Sequence, residues 1–192
     1  ISNTSQTEAV RSIADDIYQG ILADIKLTDS IRPYSLYPLY LYASKQEYLA
    51  KSQMPEWSGG VFNAGRIMIY LHPQAPQVLA HEISHLIFWE FFGKSRPELL
   101  WLNEGLAMHQ EYRARSEQLP AALQEAQVTL KAYYMPMEIL LGTATALEHK
   151  EKEAQIFYVE SWLLTRFLIE RGWRVGFYEF LKNLKAGKPF SQ

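Results

Sequence analysis

Apolar residues recur at helical spacing over residues 7–25, which predicts an amphipathic helix near the start of the chain. Shorter runs rich in tyrosine, leucine and isoleucine follow, and these runs predict strands. Ser44 and Glu47 have the spacing of a capping box, which predicts a short helix after the first strand. Gly65 separates the last two strands and predicts a hairpin or a bulged edge. The predicted strands are Leu39–Ala43, Val61–Ala64 and Ile67–Leu71.

The pattern changes to helix from Pro76 onwards. Pro76 suits the first turn of a helix, and Gly93 suits its end. Between these two residues apolar side chains occur on nearly every face, which predicts a buried helix. The later helices are predicted over residues 101–118, from Pro120, from Pro136, over Gln155–Arg171 with Gly172 as the stop, and over Arg174–Lys185.

Two histidines and a glutamate lie inside the buried helix, in the string His81-Glu82-Ile83-Ser84-His85. A helix turns by about 100° per residue, so His81 and His85 lie about 40° and one turn apart and can reach the same ion. Glu82 lies about 60° from His85 around the helix. At this position its carboxylate is poorly placed to bind the ion but can reach a water molecule bound to it. Polar groups in an apolar helix cost free energy unless they are paired, and a metal ion would pair them.

Eighteen residues separate His85 from Glu104, which lies in a second motif, the string W-L-N-E-G. One carboxylate and two neutral imidazoles form a His₂Glu ligand set for catalytic zinc, and they leave the fourth position for water. The zinc would acidify this water, and Glu82 would take its proton as the general base. The sequence therefore predicts one zinc ion per chain, bound by His81, His85 and Glu104.

Each part of this site has a plainer alternative. The two histidines and Glu82 could be solvated groups on a surface helix, and Glu104 could be a capping or surface charge. The apolar surroundings of the first motif, and the second motif downstream of it, favour the metal site. Gly105 is unfavourable inside a helix, and we expect it to allow close approach of the two helices around the ion.

In these two strings the chain resembles the gluzincin zinc metallopeptidases, in particular the peptidase-MA-like group. The motif-bearing part is about residues 61–110, and a looser resemblance in the order of elements extends over most of the chain. The resemblance implies an α+β, zincin-like fold, in which a small N-terminal sheet packs on the active-site helix and a helical C-terminal lobe lies below the cleft. It also implies that His81, His85 and Glu104 bind zinc and that Glu82 is catalytic.

The same resemblance implies two further sets of site residues. Gluzincins place a tyrosine on a later helix to donate to the oxyanion, and Tyr158 is the candidate here, unless it is a core aromatic. Tyr133, Tyr134 and His149 are alternatives for this role. Gluzincins also bind the substrate backbone along the edge strand before the active-site helix. If this segment is not a plain edge strand, the matching residues are Phe62, Asn63, Ala64 and Gly65.

The chain departs from the family's patterns at two positions. Its edge strand has no acidic residue, whereas the aminopeptidases that share the second motif hold the substrate's free amine with a glutamate there. This difference argues against aminopeptidase specificity and leaves an endopeptidase as the expectation. Met108 stands where thermolysin-type enzymes have an aspartate beside a zinc histidine. We therefore expect another residue to support the histidines from outside the ligand set.

The composition is that of an ordinary globular protein of 192 residues, with 48% hydrophobic and 21% charged residues. This length predicts a single metallopeptidase domain, with a strand-containing lobe at 1–75 and a helical lobe at 76–192 that carries the zinc site. The net charge of −2 argues against nucleic acid as a partner, and no apolar run is long enough for a transmembrane segment. The start at Ile1 and the absence of cysteine favour an exported or membrane-tethered extracytoplasmic protein over a cytoplasmic one.

The expected function is hydrolysis of peptide bonds in a peptide or protein substrate. A second possibility is a zincin-fold scaffold that binds a protein partner without cleaving it. Degenerate zincins usually lose the base or a ligand, whereas this chain keeps all four residues. A third possibility is hydrolysis of a non-peptide amide at the same site. His72 and His109 lie outside both motifs, and we expect them to have structural or solvated roles.

Overall fold

A computed structural model describes residues 4–31, 36–93, 96–145 and 151–188. The described residues are mostly helical and contain one small sheet, in agreement with the α+β class. No helix in these ranges combines the length and the apolar character that a bilayer-crossing segment requires. The elements are α1 (Thr4–Asp24), β1 (Leu39–Tyr42), α2 (Lys45–Ser52), β2 (Gly60–Asn63), β3 (Arg66–Tyr70), α3 (Ala75–Phe92), α4 (Leu100–Arg113), α5 (Leu119–Ala132), α6 (Met137–Gly142) and α7 (Glu151–Lys185), with short 3₁₀ turns at Pro97–Leu99 and Ser116–Gln118.

The three strands form a mixed sheet in the order β1-β3-β2. β1 runs parallel to β3, and β2 runs antiparallel to β3 as the predicted hairpin. The hairpin turns at Ala64 and Gly65, whose φ values of 48° and 81° are both positive. This geometry belongs to a tight two-residue turn that matches the twist of the strands, and glycine adopts it without strain. β2 is therefore an edge strand, and it lies beside α3.

Helix α3 lies at the centre of the fold. Pro76 stands in its first turn, and Gly93 follows its last residue with a φ of 71°, as the sequence predicts. Side chains on nearly all of its faces are buried, because α1, α4, β2 and β3 pack around it. The polar side chains of Glu82 and Ser84 are buried together with the apolar ones. The prediction of a buried helix is confirmed.

One hydrophobic core runs through both halves of the chain. Buried side chains from α1, β3, α3, α4 and α7 belong to one continuous cluster. Representative members are Ile21, Ile69, Ile87, Leu102 and Phe157. The strand-containing residues and the later helices therefore stabilise each other by burying the same apolar surface.

Helix α4 is shorter than predicted. It ends at Arg113, whereas the sequence pattern predicts helix as far as residue 118. The chain then turns tightly, and the Arg115 N–H donates to the Tyr112 carbonyl oxygen at 3.1 Å. No glycine or proline marks this end in the sequence, so the pattern contained no stop signal there.

Helix α7 contains a break that separates the two predicted helices. Trp173 has φ 52° and ψ 168°, so the residues before and after it form separate helical segments. The sequence places the stop one residue earlier, at Gly172. A Cβ on Gly172 would lie 3.2 Å from the backbone nitrogen of Phe177, a tighter contact than most Cβ atoms make. The glycine thus allows the later segment to fold back closely on the end of the earlier one.

Candidate metal centre

Helices α3 and α4 bring the three predicted metal ligands together. The ligand atoms of His81, His85 and Glu104 all lie within 4.8 Å of one another. The Nε2 atoms of His81 and His85 lie 3.9 Å and 3.7 Å from the same carboxylate oxygen of Glu104. These distances are too long for hydrogen bonds. Two ligand atoms that each lie about 2 Å from a tetrahedral ion would be about 3.3 Å apart, so the three groups are near enough to share one ion after each moves by a few tenths of an ångström.

Each histidine is held by a second residue on its other ring nitrogen. The Nδ1 of His81 lies 3.1 Å from a carboxylate oxygen of Glu111, and the Nδ1 of His85 lies 2.9 Å from the Oδ1 of Asn103. Both partners are acceptors, so each Nδ1 carries the proton and donates it. In the neutral ring this tautomer leaves the lone pair of Nε2 free for a metal, which is the arrangement typical of histidine ligands in proteins.

Glu111 and Asn103 take the supporting role for which Met108 is unsuited. The sequence interpretation expected such residues but did not identify them. A signal for both was present, because Asn103 precedes Glu104 in the W-L-N-E-G string and Glu111 lies two helical turns beyond Glu104. A residue seven positions along a helix returns to the same face, so Glu111 was a candidate on spacing alone.

The surroundings of His81 favour a positive charge. Burial lowers the pKa of His81, but the hydrogen bond to Glu111 and the negative charges of Glu82 and Glu104 outweigh it and raise the pKa to about 9. Three carboxylates therefore surround a partly buried pair of imidazoles. Such a site stabilises a bound cation, either a proton or a metal ion.

Glu82 is buried beside the cluster and contacts the edge strand. Its carboxylate accepts a hydrogen bond of 2.6 Å from the backbone N–H of Phe62 in β2. Burial raises the pKa of Glu82 above its usual value, although the two histidines act in the opposite direction. Gly60 allows this close approach of β2 to α3, because a Cβ there would lie 2.7 Å from the side chain of Val78. A carboxyl group with a raised pKa suits proton transfer near neutral pH.

A cavity of about 1010 Å³ opens over the cluster, and the three ligand residues and Glu82 all line it. The predicted substrate segment contributes Phe62, Asn63 and Ala64 to the wall of this cavity. Gly65 is not among the lining residues, and instead forms the hairpin turn next to the ring of Tyr37. The volume is in the range of ordinary ligand pockets.

Tyr158, the candidate oxyanion donor, lies half-buried in the wall of the same cavity. Burial raises the pKa of its hydroxyl, and the charges of Glu104 and Glu82 raise it further. The hydroxyl therefore keeps its proton and remains a hydrogen-bond donor. The alternatives Tyr133 and Tyr134 are exposed and do not line the cavity, and His149 lies outside the described residues.

Gly105 has a different role from the expected one. The prediction was that this glycine allows close approach of the two ligand-bearing helices. The close approach is instead between α4 and α7, because a Cβ on Gly105 would lie 2.2 Å from the Oγ1 of Thr165 and 2.3 Å from the carbonyl oxygen of Ser161. Since α7 also carries Tyr158, this contact sets the distance between the Glu104 helix and the candidate donor.

The two remaining described histidines lie outside the metal cluster. His72 stacks on the ring of Tyr70 with a centroid distance of 4.5 Å and borders the cavity. His109 lies on α4 with a side chain that is 14% exposed, and its Nε2 lies 4.0 Å from a carboxylate oxygen of Asp24. Asp24 is also paired with Arg113 at 2.7 Å and with Arg174 at 3.1 Å. His109 therefore belongs to a charged cluster that joins α1, α4 and α7.

Comparison of the chain with protein-family models, with curated proteins and with solved structures found no match in any of the three. The residues of the site and their geometry are therefore the features of this chain that bear on its function.

Proposed function

We propose that this protein is a zinc-dependent metallopeptidase of the gluzincin type, with a zincin-like fold and one catalytic zinc ion per chain. The observation that carries the proposal is the convergence of His81, His85 and Glu104 in an open cavity, with Glu82 buried beside them. Metal-binding clusters that serve only structure are normally closed to solvent and fully liganded by protein. This cluster offers three protein ligands and faces a cavity large enough for a substrate.

The residues present fit a catalytic zinc ion. Two imidazole nitrogens and one carboxylate oxygen form the His₂Glu donor set found in zinc peptidases. Each imidazole already presents its Nε2 atom, because Glu111 and Asn103 engage the opposite nitrogen. When bound, zinc would supply Lewis-acid chemistry, lowering the pKa of water and polarising the oxygen of a carbonyl group.

The neighbouring side chains have the chemistry that peptide hydrolysis needs. Glu82 would accept a proton from the attacking water and later transfer it to the nitrogen of the leaving amine. The N–H of Phe62 holds the Glu82 carboxylate in place from one side. Tyr158 would donate its hydroxyl proton as a hydrogen bond to the developing oxyanion.

The edge strand β2 supports the binding of an extended peptide. A two-residue turn makes Asn63 and Arg66 a hydrogen-bonded pair, so Phe62 and Gly60 direct their backbone groups away from β3. The outward N–H of Phe62 is engaged by Glu82, and the outward carbonyl of Gly60 accepts from the Ser58 hydroxyl at 2.8 Å. A substrate backbone would therefore pair through the outward carbonyl oxygen of Phe62, next to Asn63 and Ala64.

Metal content of the purified protein tests the ligand set. We expect about one zinc per chain in the wild type and loss of the metal in His81→Ala. His72→Ala is the matched control, because His72 borders the same cavity without joining the cluster. Retention of zinc by His81→Ala, or loss of zinc in both variants, would contradict the proposed ligand set. A wild-type protein that binds no zinc even when zinc is supplied would overturn the proposal.

Hydrolysis of a mixed peptide library, followed by mass spectrometry, tests the reaction. We expect Glu82→Gln to keep its zinc and to cleave at a rate lower by about 10² to 10⁴, because the variant lacks the base. A zinc-bound wild type that cleaves no peptide would instead support a binding scaffold. Cleavage of cell-wall amides but not of peptides would support a non-peptide amidase.

A further inference from the structure

Glu111 on α4 contacts two side chains at once. One of its carboxylate oxygens lies 3.1 Å from the Nδ1 of His81, and the other accepts a hydrogen bond of 2.7 Å from the Nη2 of Arg115. Each oxygen thus has its own partner. The three residues form a chain of contacts that runs from a guanidinium group at one end to a predicted metal ligand at the other.

The two candidate histidine ligands differ in the charge of the residue that contacts their Nδ1 atom. The outer partner of His85 is the neutral amide of Asn103, whereas the outer partner of His81 is the carboxylate of Glu111. A glutamate has three side-chain torsions and would sample several orientations if nothing else held it. The contact with Arg115 restricts the carboxylate to the orientation in which its other oxygen faces His81.

The early end of α4 places Arg115 in this position. Helix α4 ends at Arg113, and the tight turn that follows gives Arg115 non-helical backbone angles of φ −121° and ψ 46°. From this turn the side chain contacts Glu111, four residues earlier. The side chains of Arg115 and Glu111 are 22% and 23% exposed, so both groups are largely withdrawn from water. Solvent and salt therefore screen their attraction less than at an exposed position.

We propose that Arg115 is a positioning residue of the metal centre, which acts through Glu111 and His81. It fixes the Glu111 carboxylate, which in turn fixes the ring and the tautomer of His81, so that Nε2 faces the ion. The proposal rests on the metal site of the proposed function but not on peptide cleavage. It applies to any divalent ion held by His81, His85 and Glu104.

Arg115 borders the cavity, so the alternative is that it binds a substrate carboxylate directly. The present contact favours the positioning role, because Nη2 donates to Glu111, while the buried Nε has no hydrogen-bond partner among the described residues. The two roles predict different measurements. A positioning residue changes the affinity of the protein for its metal, whereas a substrate-binding residue changes KM and leaves metal affinity unaltered.

The test is a double-mutant cycle on metal affinity, measured with zinc and with cobalt(II) by competition against a chelator of known affinity. We expect Glu111→Gln to weaken metal binding by about 10- to 100-fold, the usual effect of removing an outer partner of a metal ligand. Arg115→Met should weaken it by up to about tenfold. In the Glu111→Gln background, the same arginine substitution should have no further effect, because its route to His81 is already lost.

Two further variants serve as controls. Arg115→Lys keeps a single charged donor for Glu111 and should restore most of the affinity, because the present contact uses one nitrogen atom. Arg113→Met removes the arginine at the end of α4, two residues before Arg115 and paired with Asp24 at 2.7 Å, and should leave metal affinity unchanged even if it lowers stability. Arg115→Gln replaces Arg115→Met in the cycle if the methionine variant does not fold.

Unchanged metal affinity in Arg115→Met would overturn the proposal. A double variant whose loss of metal affinity equals the sum of the losses in Arg115→Met and Glu111→Gln, in free energy, would overturn it as well. An altered KM with unaltered metal affinity would assign Arg115 to substrate binding. A wild type that binds no metal would remove both this proposal and the proposed function. A wild type that binds metal but cleaves nothing would remove only the proposed function, and the cycle would remain decisive.

Discussion

At the scale of single residues, His109 links the stability of the protein to pH. Burial lowers its pKa to about 4, even though Asp24 lies nearby. In the unfolded chain its pKa would be about 6.5, so the unfolded state binds more protons than the folded state between pH 4 and 6.5. The stability contributed by neutral His109 is therefore fully present above about pH 6.5 and is lost as the pH falls towards 4.

His109→Gln removes this titration. We expect the free energy of unfolding of the wild type to fall by about 2 to 3 kcal/mol more than that of the variant between pH 7 and pH 4. Urea denaturation at a series of pH values measures the difference. Parallel pH profiles for the two proteins would show that His109 is protonated at the same pH in both states.

The residues of the site differ in how far the sequence determines them. His81, Glu82 and His85 follow from a short local string, because a single helix fixes their relative positions. Glu104 could be predicted only from a second motif, because its distance from the two histidines depends on how α4 packs against α3. Glu111 was a candidate on helical spacing, but its contact with His81 follows only from the packing of α4 against α3. Arg115 could not be identified from the pattern, because its position depends on a helix end that no stop residue marks.

At the scale of elements, the contact between α4 and α7 depends on Gly105. A Cβ there would overlap the backbone of Ser161, which cannot move without shifting the helix. We expect Gly105→Ala to lower the free energy of unfolding by about 3 kcal/mol, the upper range for overpacking in a core. Thermal or urea unfolding measures this loss.

Gly20→Ala is the matched control for this substitution. Gly20 lies within helix α1, and an added Cβ would meet no atom within 4 Å. Alanine is the better helix former, so we expect the variant to be more stable than the wild type by up to about 1 kcal/mol. Equal effects at the two glycines would indicate that backbone freedom, and not helix packing, determines the cost at Gly105.

Periodicity and turn residues predicted the existence and type of the elements better than their ends. Helix α3 and the β2–β3 hairpin carry strong local signals in Pro76, Gly93 and Gly65, and all three positions agree with the structure. The break in α7 lies one residue beyond the predicted stop, because Trp173 and not Gly172 takes the positive φ. The pairing of β1 with β3 is a long-range contact for which the local pattern has no signal.

At the scale of the whole molecule, Asp24 joins three helices. It ends α1 and contacts Arg113 and Gln110 of α4, as well as Arg174 in the later segment of α7. The carboxylate is buried while both arginines are about half exposed, so solvent screens part of the attraction. The cluster holds the later α7 segment against the rest of the fold, just after the break at Trp173.

We expect Asp24→Asn to lower the free energy of unfolding by about 1 to 3 kcal/mol, because the two arginines lose the charge of their buried carboxylate partner while the shape of the side chain is kept. Backbone hydrogen exchange should become faster in residues 174–185. Asp15→Asn is the control, since Asp15 pairs with Arg11 at an exposed position, and its effect should stay below about 0.5 kcal/mol. Unchanged exchange in residues 174–185 would count against a tethering role for Asp24.

The hydrogen bond between Glu82 and Phe62 has a consequence for the behaviour of the protein in concentrated solution. An edge strand with free backbone groups can template pairing with another chain, which leads to aggregation. On β2 the outward N–H of Phe62 and the outward carbonyl of Gly60 both have partners within their own chain. The glutamate proposed as the base therefore also occupies one of the backbone donors through which this edge could pair with another chain, and its replacement by a side chain without an acceptor would free that donor.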